Sequence, residues 1–163
     1  MLHRSVATIV RETPPFWRLM NMAEALQSAL EWLYPGDGAR SGGSEAKVVI
    51  LCDDAGKFQA LATGEDVLRA VHDRNMDPRT TRLEAIISEL GDVLTAGDSI
   101  LDALDLMSLR PASHLVLVDD DRRPLGVLSQ RQMLKTVKAY IDTQTRAVQT
   151  QLFGAHIFGT TSE

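Results

Sequence analysis

The chain has 163 residues, a formal net charge of −5 and a pI near 5.3, with 44% hydrophobic and 24% charged residues. That length holds one ordinary domain, or two small units sharing a core, and needs neither metal nor disulfide to fold. The composition excludes wholesale disorder, the acidic balance argues against a nucleic-acid binder, and a single cysteine, Cys52, excludes an internal disulfide framework and any multi-cysteine zinc site.

No apolar run approaches 18 residues, and Met1 to Val6 opens no long apolar segment of the secretory kind. The expectation is a soluble, cytoplasmic protein. In chain order, the apolar spacing predicts a helix from about Met22 to Leu33. A Gly/Ser-rich stretch follows, Pro35 to Ser44, read as a surface insertion over about 35–46; its Gly38 to Gly43 spacing lacks the lysine of a phosphate-cradling loop. Strands are predicted at 47–52 and 58–62, a helix at 63–73 and a connecting helix over Arg82 to Leu90. The next helix has Asp98 as N-cap, carries Ile100, Ala103, Leu104 and Met107 at helical spacing, and is stopped by Pro111. Residues 114–118 read as a buried strand, 125–128 as its hairpin partner, and Ser129 to about Tyr140 as a helix.

The chain repeats itself. Val48 to Asp54 matches His114 to Asp120, and Ala60 to Leu68 matches Gly126 to Leu134, both at an offset of 66. Ala25-Leu26 aligned with Ala103-Leu104 gives an offset of 78, which assigns 12 extra residues to the first copy. The open face of each small sheet has to be buried against its twin.

Asp98 to Met107, Ser113 to Asp120 and Pro124-Leu125-Gly126-Val127-Leu128-Ser129 resemble the helix entry, central strand and strand-to-helix junction of cystathionine-β-synthase (CBS) domains. The first copy resembles the family less closely, in the same order of parts. The resemblance implies an α/β (α+β) fold of two β-α-β-β-α repeats packed as an intramolecular pseudo-two-fold pair, and a homodimer. It divides the chain into a first repeat at 6–75, a connecting segment at 76–91, a second repeat at 92–142 and a C-terminal helical extension and apolar tail at 143–163.

The resemblance also implies a regulatory module, with no chemistry of its own, that binds an adenosine-containing ligand (AMP, ADP, ATP or S-adenosylmethionine) and signals to a separate effector protein. No resident cofactor, metal, membrane or nucleic acid is expected. Thr63 and Asp66 match the family's strand-end hydroxyl and ribose-binding carboxylate, with Ala60 where glycine is usual and Leu61 beside it. A carboxylate suits two adjacent hydroxyl donors. Ser129 matches in the second copy, but Gln132 replaces the acid, so one competent site is expected, at Thr63 and Asp66. Lys47 and His114 are candidates for phosphate, Arg69 adds local charge, and Ile9-Val10 and Ile86-Ile87 are candidates for an adenine slot.

Other readings compete. Thr63 and Ser129 also serve as plain helix caps. Gly97-Asp98-Ser99-Ile100 resembles an esterase nucleophile motif, without the Asp-x-x-His that supplies its base. His3, His72, His114 and His156 are scattered, and Cys52 reads as a buried hydrophobe. Trp17 and Trp32 suit either a core or an interface. The alternative function is a degenerate pair acting only as a dimerisation or protein-interaction module without ligand, its tail from Leu152 packing on the partner subunit.

Overall fold

A computed structural model describes residues 5–36, 45–87, 91–110 and 112–157. The chain folds as α1 (Val6–Glu12), β1 (Trp17–Asn21), α2 (Leu26–Leu33), β2 (Val48–Cys52), β3 (Phe58–Thr63), α3 (Gly64–His72), β4 (Val93–Thr95), α4 (Ile100–Leu109), β5 (His114–Val118), β6 (Pro124–Ser129) and α5 (Gln130–Ile157), with a 3-10 turn at Leu83–Ile86.

The strands form two three-stranded sheets, ordered β1-β2-β3 and β4-β5-β6. In each, the first pairing is parallel and the second antiparallel. The central strands β2 and β5 read as continuous apolar runs because both their faces are covered. Val49 and Leu51 face α2 and α3, while Val48, Ile50 and Cys52 face the other sheet. Likewise Leu115 and Leu117 face helices, and Val116 and Val118 face the first sheet. Phe58, wholly buried, joins the layer between the sheets. A side chain of that size buried there contributes about 1.5–3 kcal/mol by area alone. Each open sheet face is thus buried on its twin.

The repeated Asp-Asp pair has a local cause. Asp53 Oδ1 accepts from the Ala55 and Lys57 amides, and Asp119 Oδ1 accepts from the Asp121 and Arg123 amides. Both hairpins need a left-handed residue, met by Gly56 (φ 77°) in one and Arg122 (φ 62°) in the other.

The structure corrects the alignment of the copies before the insertion. Ala25 bridges Arg82 as Ser99 bridges Ser5, so Ala25 corresponds to Ser99, an offset of 74 rather than 78. With the offset of 66 beyond it, the first copy carries 8 extra residues rather than 12. The slip is four residues, one helical turn, and i and i+4 share a face, so apolar spacing tolerates either register.

Helix α2 begins at Leu26 rather than Met22, because the Asn21 amide donates to Glu24 Oε1 and forms a turn there. Ser99, not Asp98, caps α4 in a reciprocal box with Asp102, while Asp98 accepts from the Thr95 amide and hydroxyl. The expected connecting helix is only the 3-10 turn; residues 88–90 and Pro111 lie outside the described residues. Helix α5 runs on to Ile157, well past Tyr140, and Leu152 and Phe153 on it are about two-thirds exposed within this chain.

The segments that precede each first strand exchange places. Val6, Ala7 and Ile9 of α1 pack into the core of the second sheet, while Leu83 and Ile86 pack into that of the first. The Val6 amide donates to the Asp98 carbonyl, and the Leu83 amide to the Glu24 carbonyl, the matching positions.

Candidate functional site

Strand β3 ends at Thr63, and α3 starts at Gly64. Asp66 Oδ2 accepts from the Thr63 amide (2.9 Å) and hydroxyl (2.8 Å), and the Asp66 amide donates back to Thr63 Oγ1 (3.3 Å). Asp66 Oδ1 takes no hydrogen bond among the described residues, so one oxygen caps the helix and the other is available to a ligand. Thr63 and Asp66 line a cleft of about 410 Å³ between the copies. Leu61, Ile86, Ile87 and His114 line it too, although they come from three separate parts of the chain.

The cleft also holds residues that sequence reasoning did not single out: Phe58, Gly91, Asp92, Arg110 and Ser113. Arg110 ends α4 and lies 3.4 Å from Asp92, and Arg69 pairs with Glu65 at 2.6 Å. Both guanidinium groups are half or more exposed, so they add positive charge without a desolvation cost. A glycine at 91 is required, since a Cβ there would lie 2.8 Å from the Phe58 ring. Arg110 is legible only in space, where α4 delivers it to the mouth of the other copy's cleft.

A second cavity, about 520 Å³, adjoins the first through Thr63, Glu65, Ser113 and His114, and Lys47 lines it. Lys47 donates to the Trp32 carbonyl at 3.2 Å, and its ammonium stands 4.5 Å from the indole centroid. His114 shares a hydrogen bond with Ser113 Oγ and sits near the Phe16 ring. Burial lowers its pKa below 6.5, against a smaller upward pull from the Glu45 charge.

The corresponding place in the second copy is filled. Ser129 and Gln132 are buried and line neither cavity. The Ser129 amide donates to Gln132 Oε1 at 2.7 Å, and the Gln132 amide to Ser129 Oγ at 3.1 Å. Gln132 Nε2 donates to Thr13 Oγ1 at 2.8 Å, and Ser129 Oγ donates to Glu45 Oε2 at 2.7 Å. Ile9 is core, and a Cβ on Gly126 would collide with Val10 Cγ1.

Ala60, which stands where glycine is usual, points away from the clefts into the helix-facing core of the first sheet, because alternation along β3 sends 60 and 61 to opposite faces. Ser99 Oγ donates to Asp102 at 2.7 Å and so belongs to a helix cap. His72 is an exposed helix end beside Asp73, and Cys52 is buried, its thiol pKa raised by burial and by Asp53. Trp17 and Trp32 both pack on the core of this chain. Among the described residues, no group of three or more His, Cys, Asp or Glu side chains could hold a metal ion, and no helix is long and apolar enough to cross a membrane.

Residues 92–139 match the family model of the CBS domain. Over 88 residues the chain is 30% identical to arabinose 5-phosphate isomerase KdsD of Pseudomonas aeruginosa, a match covering 54% of this chain and 27% of that protein. The chain thus spans only about a quarter of that curated relative's length. The fold is similar to a CBS domain-containing protein of unknown function from Bacillus anthracis str. Ames Ancestor (TM-score 0.65, 19% identity, 85% of this chain and 95% of that one). It is also similar to the CBS domain pair of protein MJ0100 in complex with 5-methylthioadenosine and S-adenosyl-L-methionine (TM-score 0.64, 17% identity, 84% and 98%). A third similar structure is the cytosolic domain of the Mg2+ channel MgtE in complex with ATP (TM-score 0.60, 17% identity, 76% and 46%). Residues 92–139 are thus a CBS domain, and the chain as a whole has the fold of a CBS-domain pair.

Proposed function

We propose that this chain is a regulatory module with one working ligand site, the cleft around Thr63 and Asp66, and that its ligand contains adenosine. The observation that carries the reading is the contrast between the copies: Asp66 keeps one carboxylate oxygen for a ligand, while Ser129 and Gln132 are spent on neighbours within the chain. Asp66 would accept from the ribose diol, Ile86 and Ile87 would hold the base, and Arg69, Arg110 and His114 would face the phosphate or another polar end. Two structures of similar fold hold ATP in one case and 5-methylthioadenosine with S-adenosyl-L-methionine in the other, in keeping with that ligand class.

A ligand held between the copies favours one relative arrangement of them, and a partner protein reads that arrangement. The exposed α5 residues Leu134, Ile141 and Val148, spaced by seven, fit a homodimer contact that continues toward Leu152 and Phe153. Removing 152–163 then weakens the dimer, as read by light scattering.

Thermal melts with AMP, ADP, ATP and S-adenosylmethionine test the ligand site. A ligand at a hundred times its Kd adds about 2.7 kcal/mol, or roughly 5–10 °C for a chain of this size. The reading requires a shift with at least one compound, cut to about half or less in Asp66→Asn and kept in Gln132→Ala. A chain that shifts with none of them is an interaction module instead.

A further inference from the structure

We infer that Glu45 is a built-in occupant of the pocket at Ser129, an acidic latch that keeps the second copy closed and that a free anion must displace. The inference deepens the reading of a single open cleft and rests on it, taking the phosphate-bearing members of the adenosine ligands proposed there.

Four observations converge. Ser129 Oγ donates to Glu45 Oε2 at 2.7 Å across 84 residues of chain. At the matching position in the first copy, the Thr63 hydroxyl turns back to Asp66 in its own helix. The carboxylate sits where β6 passes into α5, and the start of a long helix favours negative charge. At the offset of 66 that relates the copies, Glu45 corresponds to Pro111, which has no carboxylate with which to close the first cleft. Glu45, at the foot of the insertion, is therefore the acidic member of the group, with Thr13 and Val10, that closes the second junction.

The latch is held imperfectly. Glu45 Oε1 is buried without a hydrogen-bond partner among the described residues, and a desolvated carboxylate oxygen lacking a donor is costly. Glu45 also lines the 520 Å³ cavity, with Lys47, Ser113 and His114, so the side chain has room and polar company on leaving Ser129. Release would uncover the Ser129 hydroxyl to a phosphate oxygen.

The test is titration of the full chain with inorganic phosphate, read by amide NMR at residues 129–131. Glu45→Ala removes the latch; Glu45→Gln removes its charge but keeps its bulk, and serves if the alanine variant folds poorly. The expected result is saturable shifts at 129–131 at a phosphate concentration at least tenfold lower than wild type in one variant or both. Equal or weaker binding in both overturns the inference. Amides at 63–66, followed with an adenosine ligand in the same samples, report the first cleft separately. Their silence counts against the open-cleft reading, whereas silence at 129–131 counts against the latch.

Discussion

The first and second copies share a hairpin, a strand-to-helix junction and a capping motif, yet one junction borders an open cleft and the other is sealed. At Thr63 the helix start is satisfied by its own third residue, Asp66. At Ser129 the same local geometry recurs, with Gln132 in place of the acid, and then Glu45, Thr13 and Val10 close over it from elsewhere in the chain. Local sequence similarity therefore sets the shape of the junction, while distant side chains decide whether anything else can reach it.

The two copies differ most in consequence at the third helical position. If only the first cleft binds, Asp66→Ala removes charge-assisted hydrogen bonds worth about 1.5–3 kcal/mol, roughly a ten- to hundredfold loss of affinity by calorimetry. Gln132→Ala leaves the affinity unchanged. Equal losses in both would mean that the second copy also holds ligand.

Packing is the next discriminator. Gly126→Ala drives a methyl into Val10, so it should destabilise by about 1–3 kcal/mol in chemical denaturation. The reciprocal Ala60→Gly only removes a core methyl and stiffens nothing, at a cost near 1 kcal/mol. A neutral Gly126→Ala would mean that α1 does not sit against β6 in solution.

The caps are then compared directly. Thr63→Ala should cost about 1 kcal/mol, an ordinary N-cap loss. Ser129→Ala should cost more, up to about 3 kcal/mol, because it also strips the Glu45 carboxylate of its donor. Equal costs, measured in urea, would show that Glu45 leaves freely.

The smallest effect is in pH. Burial lowers the His114 pKa below 6.5, so between the folded and unfolded values the unfolded chain binds more protons. Stability from this group is complete above pH 6.5, falls as the pH drops below that, and levels off beneath the lowered folded value. Melts at pH 7.5 and 5 should differ less in His114→Gln than in wild type.

Much of this was legible beforehand. The apolar runs at 48–52 and 114–118 announced two central strands, and the offset of 66 carried the hairpins and both capping motifs without error. Helix register was not legible, since Ala25-Leu26 fits one turn earlier or later equally well by apolar spacing. The short strand β4, three residues long, has too little alternation to be read. Arg110 was missed because nothing near it in sequence marks a cleft; only the packing of the two sheets brings it opposite Asp66.

Local sequence carries the two repeats, their hairpin strands and turns, and the capping chemistry at Thr63 and Ser129, because each depends on residues within a few positions of one another. The tertiary structure alone decided which repeat stays open. It carries α1 across to the second sheet and Glu45 to Ser129, and contacts between residues 84 apart follow from how whole elements pack, which no local pattern encodes.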